Sequence, residues 1–279
     1  MKHSIKYCAL ILTITFLFAC GKKTTESKWQ SLFNGTDLSG WDTYLGPTYD
    51  SIQNRFDSLL TPGLNNDPNH VFSIDLVDGA PAIHISGNGF GGISTLDEFE
   101  NFHLRVEFKW GERRWHPRKD KKRDSGILYY AVGPHGAAYG NWMLSQEFQV
   151  QEGDCGDYWS VAGSIIDIGA TGSKMEEYVY DPSAPLLPFS YTSEYGKRCI
   201  KNPDAEKPTG EWNIVDVYCL GGTIVHVMNG QVVMRLFNSR QPFEGKEIPL
   251  TKGKIQIQTE GAEVFYRNIQ IEPIDEIVL

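Results

Sequence analysis

Alternation of apolar and polar residues, repeated segment after segment, is the feature that most limits what this chain can fold into. A period of two puts every second side chain on one face of an extended strand, a pattern that a helix cannot satisfy. From His103 to Trp110, Leu104, Val106, Phe108 and Trp110 share one face, while His103, Arg105, Glu107 and Lys109 share the other. From Ser145 to Gln151, Phe148 and Val150 oppose Glu147, Gln149 and Gln151. Further strands are predicted over residues 82–86, 212–220, 223–228, 231–237, 254–259 and 264–271. Gly221-Gly222 marks one turn, and Asn229-Gly230 marks a two-residue hairpin, because both positions of such a turn need positive φ. The 254–259 and 264–271 strands are expected to pair around Glu260-Gly261-Ala262. Only Met175 to Tyr180 or Ser51 to Leu60 read as short helices. Strand after strand with glycine-rich turns predicts an all-β sandwich of two sheets.

The N-terminal segment follows a different rule. Lys2 and Lys6 precede an almost wholly apolar run from Tyr7 to Ala19. That run is too short to span a bilayer, which takes about 20 apolar residues, and it fits the core of a secretory signal. It closes on Leu17-Phe18-Ala19-Cys20-Gly21, which resembles the lipoprotein signal box of Bacteroidetes-type bacteria. The resemblance implies that residues 1–19 are a signal peptide and that Cys20 is acylated, anchoring the chain to a membrane rather than threading it through. Residues 20–28 are charged and small and read as a flexible tether. Residues 29–279 then form one domain, a length that suits a single large β-sandwich. No acidic run follows Cys20, which favours the periplasmic face of the outer membrane over surface display.

A net charge of −9 argues against a nucleic-acid partner. Cys155, Cys199 and Cys219 remain after processing, an odd number without metal-type spacing. One disulfide among them is compatible with export, and the sequence does not choose the pair. Two long segments interrupt the strand rhythm. Residues 110–124 are strongly basic and contain two Trp. Residues 153–208 are rich in Gly, Pro, Tyr and Asp. Loops of this length in a compact domain are usually functional or disordered. The basic run reads either as a solvated tip or as a grip on a substrate or an acidic neighbour.

Glu147, Gln149 and Gln151 in a row suit a hydroxyl-rich ligand, since a carboxylate and two amides accept and donate in directed pairs. Trp142, Trp159 and several Tyr lie close by in sequence, and such rings stack on the C–H faces of sugars. The plain alternative is a solvent-facing strand. Glu147-Phe-Gln149-Val-Gln-Glu152 is similar in spacing to the Glu-x-Asp-x-x-Glu of the laminarinase and lichenase clan, whose retaining chemistry needs two carboxyls about 5 Å apart. Gln149 stands where that clan has Asp, which weakens the comparison. His84, His226, His135, Lys109, Glu260 and Arg267 are further polar candidates, with a structural role open to each. No zinc spacing, phosphate loop or Ser-His-Asp arrangement stands out, and a calcium ion on Asp154 and Asp157 stays open.

Several segments together resemble the 3-keto-disaccharide hydrolase family: Leu32-Phe-Asn-Gly-Thr-Asp-Leu-Ser-Gly-Trp41, residues 102–111, Asp124-Ser-Gly-Ile-Leu-Tyr129, residues 147–151, and the Gly253 to Ile271 stretch with Tyr266-Arg-Asn-Ile-Gln-Ile. The resemblance runs from about residue 30 to the C-terminus. It implies a concanavalin A-like jelly-roll with long loops, acting on glycosides whose C3 carries a ketone. Many members have His where this chain has Glu260. The implied chemistry removes the C2 proton, expels the C1 group and adds water. Glu147 is then the expected base, Lys109, Arg267 or a divalent ion the partner of the enolate, and His135 or Tyr129 the acid, with Gln149, Gln151, Trp142, Trp159, Glu260 and Arg267 around the sugar. No cofactor is assigned. The rival readings are a non-catalytic carbohydrate-binding lipoprotein and a retaining β-glucanase.

Overall fold

A computed structural model describes residues 28–279; the signal-like segment, the tether up to residue 27 and Cys20 lie outside the described residues. The described chain folds into two large antiparallel sheets packed face to face. The larger runs centrally through Gln231–Phe243, Thr223–Met228, Asn213–Leu220, Phe102–Arg114, Ala262–Pro273 and Ala80–Ile85. The smaller, of eight strands, has Tyr158–Val161, Leu144–Gln151, Asp124–Val132, Lys254–Glu260 and Phe90–Thr95 at its middle. The predicted all-β sandwich is the observed fold.

Alternation decides which side chains meet between the sheets. Leu104, Val106 and Phe108 from the larger sheet and Phe148, Val150, Ile127 and Ile257 from the smaller one are fully buried in one core. Each such side chain contributes roughly 1.5–3 kcal/mol by leaving water. The Asn229-Gly230 turn takes the form read from the sequence. Both residues have positive φ, 50° and 81°, and Met228 lies opposite Gln231, as a twisted two-residue hairpin requires.

Three expectations are corrected. Residues 254–260 and 262–273 do not pair with each other. Lys254–Glu260 pairs with Phe90–Thr95 and Asp124–Val132 in the smaller sheet, while Ala262–Pro273 pairs with Phe102–Arg114 and Ala80–Ile85 in the larger. Gly261 alone separates the two strands, too little chain for a paired hairpin, and its φ of +78° turns the backbone from one sheet to the other. The suggested helices are absent among the described residues: Glu177–Tyr180 is a strand, and residues 48–57 form a small hairpin of Thr48–Asp50 with Arg55–Asp57. Cys155, Cys199 and Cys219 are all buried free thiols, so no disulfide links them.

Candidate active site

The strand Leu144–Gln151 is inner on one side and polar on the other, as alternation demands, yet its polar side is not a water-exposed surface. Glu147 and Gln149 are only 5% and 6% exposed. Loops cover that face: Arg118 comes from the basic segment, Tyr139 and Trp142 from the turn after Val132, and Tyr191 and Lys197 from the long segment before Arg198. Together with Asp124, Trp159, Gln258 and Glu260 they enclose a cavity of about 240 Å³ over the smaller sheet. Gly126 lies opposite Gln149 in the neighbouring strand. A β-carbon there would stand 2.2 Å from Glu147 Oε1 and 2.5 Å from Gln258 Oε1. Only a residue without a side chain lets both groups lie flat over the sheet.

Three carboxyl groups and two cations share this cavity. Arg118 pairs with Asp124 and reaches Glu260 Oε1 at 3.3 Å, and Gln151 donates to Asp124. Burial holds the Glu147 carboxyl well above the usual carboxylate range, and the negative charge of Glu260 adds to the rise. Burial likewise raises Asp124, again with help from Glu260. Glu260 is pushed up to about 7 by burial, with Arg118 and then Lys197 pulling against it. Close carboxyls in a dry site cannot all be ionised, so they divide protons between them. The Lys197 ammonium lies 4.7 Å from the Tyr191 ring centre, 4.9 Å from Trp159 and 5.6 Å from Tyr139, and donates to Tyr139 Oη at 3.1 Å. Burial acts to raise the Tyr139 phenol, but hydrogen bonds from Tyr191 and Lys197 outweigh it and leave the group below its ordinary value.

Five buried polar atoms of the cavity walls have no partner within the protein: Arg118 Nε, Asp124 Oδ1, Gln149 Oε1, Trp159 Nε1 and Gln258 Oε1. Leaving such atoms unpaired costs about 1–3 kcal/mol each. Donors and acceptors interspersed between aromatic rings are what a polyhydroxylated ring can satisfy.

Of the residues expected at the site, Glu147, Gln149, Gln151, Trp142, Trp159 and Glu260 meet in this cavity. Four others lie elsewhere. Lys109 is on the larger sheet, bonded to Asp78 at 2.9 Å. Arg267 is on the same sheet, paired with Glu107 at 2.7 Å and stacked on Trp212. Tyr129 points into the core, where its hydroxyl meets His226 Nε2 at 2.8 Å; burial keeps that His neutral, pushing it down to about 3. His135 stacks on Tyr44 in the turn that follows Val132. None of the four lines the cavity, so the roles expected of Lys109, Arg267, His135 and Tyr129 are withdrawn. His84 is held on the larger sheet by Glu263 and Asp75.

Glu152 cannot complete a retaining pair with Glu147. Five residues on, it has turned away and is bound by Arg123 and Thr209. Asp154 and Asp157 are occupied by Lys122 and Arg198, which argues against the calcium site there. Among the described residues no group of three or more His, Cys, Asp or Glu side chains is arranged to hold a metal ion. The basic segment grips acidic neighbours: Arg118 holds Asp124 and Glu260, and Arg114 and Arg123 hold Glu152. Lys197, Tyr191 and Gln258 had no distinguishing sequence signal. Arg118 and Asp124 stood in segments already singled out, without a role.

Fold and cavity together define an antiparallel β-sandwich domain with a buried, carboxyl-lined cavity over its smaller sheet. The chain belongs to the family of 3-keto-alpha-glucoside-1,2-lyase-like domains, whose profile matches residues 28–272. Among solved structures, it is similar to two candidate glycosyl hydrolases of Parabacteroides distasonis ATCC 8503. One is 19% identical over 88% of this chain and 94% of that chain, with a TM-score of 0.48. The other is 21% identical over 89% of this chain and 100% of that chain, also with a TM-score of 0.48. A carbohydrate-binding module of Bacillus subtilis is 8% identical over 85% and 98%, with a TM-score of 0.43. We found no match among the curated proteins.

Proposed function

We propose that the domain cleaves 3-keto-glycosides by elimination, with Glu260 as base, Glu147 as proton donor and Lys197 facing the enolate. The observation that carries this reading is the convergence of Glu147 and Glu260, two buried carboxyls with different surroundings, in one cavity. When environments push two carboxyls apart in proton affinity, one is supplied as acid and the other as base. Glu260, tempered by Arg118 and Lys197, titrates near neutrality, at about 7, and so supplies a base there. Glu147 keeps its proton, which reverses the role expected of it from the sequence.

A ketone at C3 acidifies the hydrogen on C2. Glu260 takes that proton, and the C–H electron pair becomes the C2=C3 bond of an enolate whose oxygen charge Lys197 offsets. The charge then returns: C3=O re-forms, C1=C2 forms, the C1–O bond breaks, and Glu147 gives its proton to the departing oxygen. Water adds across C1=C2, its proton passing to Glu147 and its oxygen to C1, while Glu260 returns a proton to C2. The product is the free 3-keto sugar, and both carboxyls regain their starting states.

The pH profile tests the pair. Wild-type kcat/KM should rise through about pH 7 as Glu260 ionises. Glu260→Gln should remove that rise together with most of the rate. Glu147→Gln should retain ligand binding and lose turnover by about a hundredfold or more, the usual worth of a positioned acid or base. Wild-type rates in either variant sink the assignment. Export and lipid anchoring at Cys20 form a separate proposal, supported by the Leu17-Phe18-Ala19-Cys20 segment. Cys20→Ser should release the protein from the membrane fraction; unchanged membrane association would refute it.

A further inference from the structure

A second cavity of about 200 Å³ lies beside the first on the same side of the smaller sheet. Its position follows from strand register. Phe90 pairs with Glu260 across neighbouring strands, so the two side chains share a face, one lining each cavity. The partition between them is thin. Phe90 belongs to the second cavity and Trp142 to the first, with ring centres 6.4 Å apart. On the opposite side, Trp115 and His116 line the second and Arg118 the first, within one turn closed by the Arg118 N–H to Trp115 O bond of 2.9 Å.

The chemistry of the two cavities differs. The first holds three carboxyls and two cations. No Asp, Glu, Lys or Arg lines the second. Its walls carry the rings of Tyr49, Phe90 and Trp115. Phe56 packs edge-on against both Tyr49 and Phe90, at 5.2 and 5.0 Å, and the Trp115 indole is fixed by a 2.8 Å bond to Ser86 O. Asn69 and Asn88 add neutral polar groups at its edge.

The geometry points to this second cavity as the subsite for the leaving group, and to an uncharged aromatic alcohol as the leaving group it takes. This rests on the elimination reading above: with the keto sugar beside Glu147 and Glu260, the C1–O bond crosses the Phe90–Trp142 partition. A flat ring is held between Tyr49, Phe90 and Trp115 through edge and face contacts. The lack of charged groups disfavours an ionic substituent, since nothing there would compensate its desolvation.

Benzyl and methyl 3-keto-glucosides test this cleanly, because their leaving alcohols are of similar acidity and differ mainly in the ring. Benzyl over methyl in kcat/KM should be about tenfold, the worth of one well-placed ring contact, and should reside mostly in KM. In Tyr49→Ala the ratio should fall toward one; as a ratio within one preparation, it is insensitive to the fraction folded. A ratio near one in the wild type, or a 3-keto-disaccharide outperforming the benzyl substrate, overturns the inference. If no substrate turns over, the elimination reading fails by itself. Calorimetric titration with benzyl and methyl glucosides then decides the subsite: Tyr49-dependent preference for benzyl upholds it, and equal binding overturns it.

Discussion

At Glu260 burial raises the proton affinity while Arg118 and Lys197 lower it, and the balance leaves the group titrating at about 7. A carboxyl raised in the folded state binds more protons folded than unfolded between its ordinary value of 4.5 and about 7. Its contribution is therefore fully favourable below about pH 4.5 and is lost as pH rises through 7. Glu260→Gln, which keeps the shape without the charge, should be more stable than the wild type at about pH 8, by at most roughly 3 kcal/mol, with the advantage vanishing near pH 4. Urea unfolding at the two pH values checks this; a variant less stable at pH 8 would show that the Arg118 pairing outweighs desolvation. Gly126 acts through space instead. Gly126→Ala places a methyl on Glu147 Oε1 and Gln258 Oε1, so it should cut turnover at least tenfold while costing about 1–3 kcal/mol of stability by overpacking. Undiminished turnover would mean that the carboxyl position is not critical.

At the scale of elements, alternation showed which face each residue occupies but not which strands are partners. Leu104 to Trp110 and Phe148 with Val150 were legible as core because every second residue is apolar. The Lys254–Glu260 and Ala262–Pro273 strands looked like a hairpin because both alternate and a glycine joins them. Pairing is a long-range property, and here it sends one strand to each sheet. Gly261 makes that crossing with φ +78°, and a β-carbon on it would approach Arg118 Cβ at 3.0 Å. Gly261→Ala should therefore lose about 1–2 kcal/mol for the left-handed backbone and also disturb Arg118, lowering kcat/KM. Gly230→Ala has a similar φ of +81° and nothing within 4 Å of the added methyl, so it should cost comparable stability and leave kcat/KM unchanged. Equal kinetic effects from the two substitutions would contradict the role given to the Gly261 corner.

Across the whole molecule, the site is an assembly of distant segments on one sheet face. Glu147, Gln149 and Gln151 were legible because a carboxylate and two amides occupy the non-core side of a strand. Trp142 and Trp159 followed from nearness in sequence. Lys197, Tyr191 and Gln258 were not legible, because their loops and strands reach the cavity only through the tertiary fold. Lys109 and Arg267 misled for the same reason: both sit on polar strand faces, but on the outer side of the other sheet, where Asp78 and Glu107 neutralise them. Everything proposed for this cavity depends on its recognising and cleaving a sugar oxidised at C3. The most direct test offers the purified domain 3-keto-glucosides beside their unoxidised parents and follows release of the leaving alcohol, with and without chelator. Release from the keto substrates alone is expected; release from the parents, or glycan binding with no turnover of either, would overturn the elimination reading.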